Sequence, residues 1–127
     1  MIMDYYYLGS PYSAYEEGLD AAFELACKAA AAFIREEISV ISPIAHSHAV
    51  VMQGHISPRD NRLWSRVNAP IMRHARGLIV LKADGWEKSK GLAHEIEVFM
   101  LRKKPVHYIE VKDLDNPGIM ATFRDGD

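Results

Sequence analysis

The run Leu78-Ile79-Val80-Leu81 is short, apolar and β-branched, with no polar alternation, and it reads as a strand buried on both faces. Its carboxyl end leads into the polar, glycine-bearing loop Asp84-Gly85-Trp86-Glu87-Lys88-Ser89-Lys90-Gly91, and then into an amphipathic helix from about Gly91 to Lys103. At helical spacing Leu92, Ile96 and Phe99 share one face, and Glu95 falls at its margin instead of on the solvated side. Glu95 is expected in about the first turn, where exposed N–H groups and the macrodipole favour an ionised carboxylate. A carboxylate kept charged can act as a nucleophile; the same placement also suits an acid that only complements the helix terminus.

The preceding chain alternates strands and helices. Tyr5-Tyr6-Tyr7-Leu8 is aromatic and strand-prone, and Gly9-Ser10-Pro11 ends it in a loop where glycine permits close backbone approach and Ser10 and Ser13 offer hydroxyls. The alanine-rich stretch from about Ala14 to Glu37, with Leu19, Phe23, Ala26, Ala30 and Phe33 three and four apart, predicts a long helix. Ser39-Val40-Ile41-Ser42 supplies a second strand, so the unit crosses over right-handed in a parallel sheet and the class is α/β. Ile44 to His55 reads either as a short helix or as an ordered loop. Ser57-Pro58-Arg59-Asp60 has the form of a helix start, with serine as N-cap and proline first; this helix is expected to reach His74, with a kink or break near Asn68 imposed by Pro70. On it Asn61, Trp64 and Asn68 share a face, either a packed tryptophan with amides at its rim or a ligand-facing stripe. Pro105 to Ile109 reads as a fourth strand, and the tail to Asp127 as a short helix or a segment packing on a neighbouring subunit.

At 127 residues the chain is expected to form one domain over its whole length. A formal net charge of −2 leaves no basic footprint for nucleic acid, and Arg102-Lys103-Lys104 answers the negative end of a helix. A single cysteine, Cys27, excludes an intramolecular disulfide and a thiolate metal cage, which fits a reducing compartment. No apolar run approaches the roughly 20 residues a bilayer span needs, and no leader pattern opens the chain, so a cytoplasmic protein without a membrane partner is expected. His46 and His48 could form a metal pair, but no further ligand has a diagnostic spacing; they read as loop or surface histidines, with no metal. No Gly-x-Gly-x-x-Gly or Walker loop is present, which disfavours dinucleotide dehydrogenases and P-loop phosphotransferases, and no cofactor is expected.

In open α/β sheets, ligands bind beyond the carboxyl ends of the strands, where the connections reverse direction. With the first and third strands adjacent, one pocket gathers Tyr7, Gly9, Ser10, Asp84, Ser89 and Glu95. Tyr7-Leu8-Gly9-Ser10-Pro11 resembles the first-strand signature of the nucleoside 2-deoxyribosyltransferase-like superfamily, and Asn68, Asp84 and Ser89-x-Gly91-x-x-x-Glu95-Ile96 follow in that superfamily's order. The similarity spans Tyr5 to about Ile109. With Trp64 and the form of the Gly85–Gly91 loop, it looks closest to small phage and bacterial members left as domains of unknown function. The resemblance implies a three-layer, flavodoxin-like or Rossmann-like α/β sandwich with about five parallel strands. It implies that Glu95 attacks C1′ of a nucleoside or nucleotide, that Tyr7 orients it, and that Asp84 contacts the base or sugar. Gly9, Ser10, Pro11, Asn68, Ser89 and Gly91 fall to substrate binding, Ser89 matching a hydroxyl that helps hold the 5′-phosphate in related nucleotide N-glycosidases. Asn68 departs from the family's pattern, standing where the transferases commonly carry an acid. The resemblance also implies a homo-oligomer, dimer or larger, for which Val98 and Leu101 widen the apolar face of the last helix.

Splitting an N-glycosidic bond passes through an oxocarbenium-like centre, which a carboxylate beneath C1′ can stabilise or trap. The departing base needs a proton; Asp84 is the local candidate, either as that acid or as a hydrogen-bonding reader of the base. Water as acceptor gives hydrolysis, and a second base gives transfer. The expected activity is that of an N-glycosidase or deoxyribosyltransferase. The alternatives are a nucleotide-binding or sensing module without turnover, and a structural or interaction protein.

Overall fold

Strands β1 (Tyr6–Gly9), β2 (Val40–Ile41), β3 (Gly77–Leu81) and β4 (Val106–Ile109) form one sheet in a computed structural model that describes residues 4–124. All pairings are parallel and the order is β2-β1-β3-β4, with Tyr7 opposite Leu78 and Gly9 opposite Val80 at the centre. Every residue of β1 and β3 is buried, as strands covered on both faces require. The helices are α1 (Leu19–Arg35), α2 (Pro43–Gly54), α3 (Asn61–His74), α4 (Lys90–Leu101) and α5 (Pro117–Ala121).

Alternation along the two central strands splits the core. Tyr6, Leu8, Ile79 and Leu81 pack with Ala29, Ala32 and Phe33 of α1 and Met120 of α5. Tyr7, Leu78 and Val80 pack on the other face with Met72 of α3 and Leu92 and Phe99 of α4. A helical layer on each side of a parallel sheet gives a three-layer α/β architecture consistent with a Rossmann-like fold.

Among the described residues the sheet has four strands, not about five. Past β4 the Asp113 carboxylate accepts the Glu110 N–H at 2.7 Å, Asn116 caps α5, and Pro117 occupies its first position. These caps commit the segment to helical turns, and Met120, Ile119 and Phe123 fold back onto the α1 face instead of pairing beside β4. The expected short helix of the tail is therefore α5; residues 125–127 of that expectation lie outside the described residues.

Several boundaries differ from the sequence reading. The residues before α1 are used in turns, with the Tyr15 N–H on the Tyr12 carbonyl and the Gly18 N–H on the Tyr15 carbonyl, so the helix begins at Leu19. The segment left as helix or loop is α2, opened by Ser42, whose hydroxyl accepts the Ala45 N–H at 3.2 Å. The N-cap of α3 is Asp60, accepting from Leu63 at 3.1 Å, whereas Ser57 accepts the Arg59 N–H in the preceding turn. Helix α3 runs unbroken through Pro70; Arg66, whose carbonyl loses its helical donor there, is exposed to solvent. Among the described residues no helix is long and apolar enough to cross a membrane.

Candidate active site

The connection through α1 carries the chain from β1 to β2, and that through α4 carries it from β3 to β4 on the other side. The reversal opens a crevice beyond Gly9 and Leu81. Gly85, at φ 85°, makes the turn out of β3, and a Cβ there would collide with the Ala14 carbonyl. After a 3₁₀ turn at Trp86–Lys88, the Ser89 hydroxyl accepts the Leu92 N–H at 3.2 Å and starts α4.

That start aims Glu95 back at β1. The Tyr7 hydroxyl donates to Glu95 Oε2 at 2.6 Å, and the fully buried Tyr7 ring lies 5.7 Å from that of Phe99. Gly9 makes the approach possible: a Cβ at that position would lie 2.8 Å from Leu92 Cδ1 and 3.0 Å from Glu95 Oε1. Burial pushes the Glu95 carboxyl up to about 7, with the Tyr7 hydrogen bond pulling the other way. Burial first, and then the Glu95 charge, hold the Tyr7 phenol well above its ordinary range. Burial thus opposes the ionised form that a helix terminus favours. With α4 beginning at Lys90, Glu95 lies beyond the first turn, and enclosure outweighs what the terminal N–H groups supply. Glu95 keeps partial exposure, while protein crowds its carboxyl.

Helix α3 supplies the facing wall. Asn61, Trp64 and Asn68 line the cleft together with Glu95, so their shared face is turned to the cleft; the Trp64 indole N–H is tied to the Ser57 carbonyl at 2.9 Å. The cleft encloses about 640 Å³ including its open mouth, within the usual range for small-molecule sites. Ser10, Ser89 and Gly91 line it as well, and Tyr7 reaches it through an adjoining lobe. The Ser10 hydroxyl is buried without a hydrogen-bond partner.

Three expected residues are not part of that lining. Asp84 follows the buried Ala83 and turns outward, exposed to solvent. Pro11 is fully buried behind the wall, and Gly9 acts by what it lacks.

The sequence reading passed over Tyr12 and misplaced His48. His48 is on α2 and only 4% exposed, not a loop or surface histidine; His46 is the exposed member of the pair. Its Nδ1 lies 2.6 Å from the Tyr12 hydroxyl and its Nε2 2.9 Å from Asp20 Oδ1, and its ring stacks on Phe23 with centroids 4.6 Å apart. The three-residue spacing of His48 from Val51, both buried on α2, was the available signal. Among the described residues there is no group of three or more His, Cys, Asp or Glu that could hold a metal ion.

Over residues 4–111 the chain matches a family described as "Domain of unknown function (DUF1937)". No curated protein matches it.

Proposed function

This chain belongs to the DUF1937 family, whose description leaves the activity open, and we propose that it cleaves or exchanges the N-glycosidic bond of a nucleoside or nucleoside 5′-monophosphate, with Glu95 as nucleophile. The reading follows the resemblance to nucleoside 2-deoxyribosyltransferase-like proteins. The observation that carries it is the Tyr7–Glu95 pair, a carboxyl held 2.6 Å from a buried phenol at the switch point of the sheet.

Tyr7 occupies Oε2 and leaves Oε1 for C1′. The ionised form of Glu95 is the one that reacts, and a poorly solvated carboxylate gains more than a hydrated one from the positive charge developing at an oxocarbenium-like C1′ beside it. The C1′–N bond breaks with its electron pair on the base, and Oε1 bonds to C1′. Water or a second base then attacks C1′ and returns the pair to the carboxylate. Trp64 offers the base an apolar face between Asn61 and Asn68. Ser10, Ser89 and the first N–H groups of α4 suit a 5′-phosphate, the unpartnered Ser10 hydroxyl above all. A homo-oligomer belongs to the same reading, with Leu101, 77% exposed, at the interface.

One observation favours a binding or sensing module instead: among the described residues lining the cleft, Glu95 is the one carboxyl, because Asp84 is outside it and Asn68 is an amide. Base release separates the two. Wild type and Glu95→Gln are incubated with ribo- and deoxyribonucleosides and their 5′-monophosphates, with and without a second base. Release by wild type that falls by about a thousandfold or more in Glu95→Gln supports the nucleophile. A folded Glu95→Gln that keeps the wild-type rate removes it, and saturable binding without release by wild type leaves the sensing module.

A further inference from the structure

We infer that Tyr12 is the proton donor to the departing base, and that His48 and Asp20 form a relay behind it; this deepens the N-glycosidic reading of Glu95 and rests on it. The need is chemical. A base leaving C1′ carries away an electron pair and requires a proton, and Asp84, the expected acid, is exposed and outside the cleft. Tyr12 lines the same cleft as Glu95, Ser10 and Ser89.

Behind Tyr12 the hydrogen bonds run in one direction, from cleft to solvent. The Tyr12 oxygen is 2.6 Å from His48 Nδ1, and His48 Nε2 is 2.9 Å from Asp20 Oδ1. The imidazole is 5% exposed and the Asp20 side chain 81% exposed, so a buried ring bridges a cleft-wall phenol and a carboxylate in contact with bulk water. Asp20 can only accept, which places a hydrogen on Nε2 and leaves Nδ1 to face the phenol. The stack on Phe23 holds the ring in that orientation. With His48 neutral, Nδ1 accepts the Tyr12 proton. With the ring doubly protonated, Nδ1–H donates to the Tyr12 oxygen and the phenolic hydrogen is no longer held by the ring. Burial, followed by the Asp20 charge and opposed by Arg59, pushes the Tyr12 phenol up, so it carries its proton at neutral pH.

The proton balance closes over one turnover. The starting state is the doubly protonated ring: as the C1′–N bond breaks, the base takes the Tyr12 hydrogen, and the Tyr12 oxygen takes the Nδ1 proton of His48, leaving the ring neutral with its hydrogen on Nε2. When water attacks C1′ and the C1′–O bond to Glu95 breaks, the proton lost by water passes to Tyr12 and on to His48. No oxidant or other co-reactant is needed. Tyr12 is the group that meets substrate; His48 and Asp20 are positioning residues.

Leaving-group dependence tests the assignment. Wild type, Tyr12→Phe, His48→Phe and Glu95→Gln are assayed on the 2′-deoxynucleoside 5′-monophosphates and on N7-methylated 2′-deoxyguanosine 5′-monophosphate, whose base already bears a positive charge and departs without a proton. Tyr12→Phe is expected to lose roughly 10²- to 10⁴-fold on the ordinary nucleotides and less than about fivefold on the methylated one. His48→Phe, which keeps the ring stack, shows the same selectivity with a smaller loss; should it not fold, Asp20→Asn at the exposed end takes its place. Glu95→Gln loses activity on both classes. Equal losses on both classes in Tyr12→Phe, or no loss, overturn the relay while leaving Glu95 as nucleophile. A Tyr12→Phe that behaves as expected beside a fully active Glu95→Gln keeps the acid and removes the nucleophile. Absence of release by wild type from either class refutes the N-glycosidic reading and the relay with it.

Discussion

Replacing Glu95 by Gln should stabilise the protein at alkaline pH and leave it nearly unchanged at acid pH. In the unfolded chain the carboxyl titrates at its ordinary 4.5, and burial in the folded protein raises it to about 7. A group whose folded value is raised contributes stability that is full below the unfolded value and is lost as pH rises through the folded one. Above about 7 the wild type therefore carries an ill-solvated charge that the unfolded chain hydrates freely. A gap of about 2.5 units at about 1.4 kcal/mol per unit is about 3–4 kcal/mol, and the residual exposure of Glu95 to the cleft trims this to about 2 kcal/mol. Glutamine keeps an oxygen for the Tyr7 hydroxyl and carries no charge. At pH ~8.5 the variant should melt roughly 6–8 °C above wild type, and at pH ~4 within about 2 °C of it. Thermal or urea unfolding of both proteins across that range is the assay. Parallel curves would mean that the folded protein solvates the carboxyl, and the enclosure assigned to β1 and α4 would be wrong. The expected divergence makes Glu95 a residue retained against stability, as a functional group often is.

Tyr7→Phe removes the one interaction that lowers the Glu95 carboxyl, so the rise of base-release rate with pH, centred near 7 in wild type, should move to higher pH; an unmoved or lowered midpoint would uncouple the pair. Gly9→Ala forces a methyl group against Leu92 and the Glu95 carboxyl, and should cost about 1–3 kcal/mol in urea unfolding together with most of the activity. Full stability and activity in that variant would show that α4 has room to retreat.

The elements that build the crevice were legible where the signal is local. The apolar Gly77–Leu81 strand and the amphipathic face of α4 each depend on neighbours within a few residues, and each is found close to where the pattern put it. Boundaries slipped where two local signals competed. Ser57 before Pro58 has the form of an N-cap, yet the hydrogen bond from the Leu63 N–H gives that place to Asp60. Pro70 argues for a break, yet the helix continues because the unpaired carbonyl lies on its solvated side. The fifth strand was an expectation carried by resemblance, and Asn116, Pro117 and Asp113 override it by favouring helical turns.

The identity of Glu95 as the acid beside a packed face was readable from helical spacing, but its protonation was not. That depends on Tyr7 and Gly9, far away in the chain, closing over the carboxyl when β1 and β3 pair. Likewise Tyr12, Asp20 and His48 come from a loop, α1 and α2, and nothing in their spacing announces that they join. Periodicity and capping act over a turn or a strand and are written in consecutive residues, whereas desolvation and hydrogen-bond partnership depend on which distant segments the sheet brings within a few ångströms.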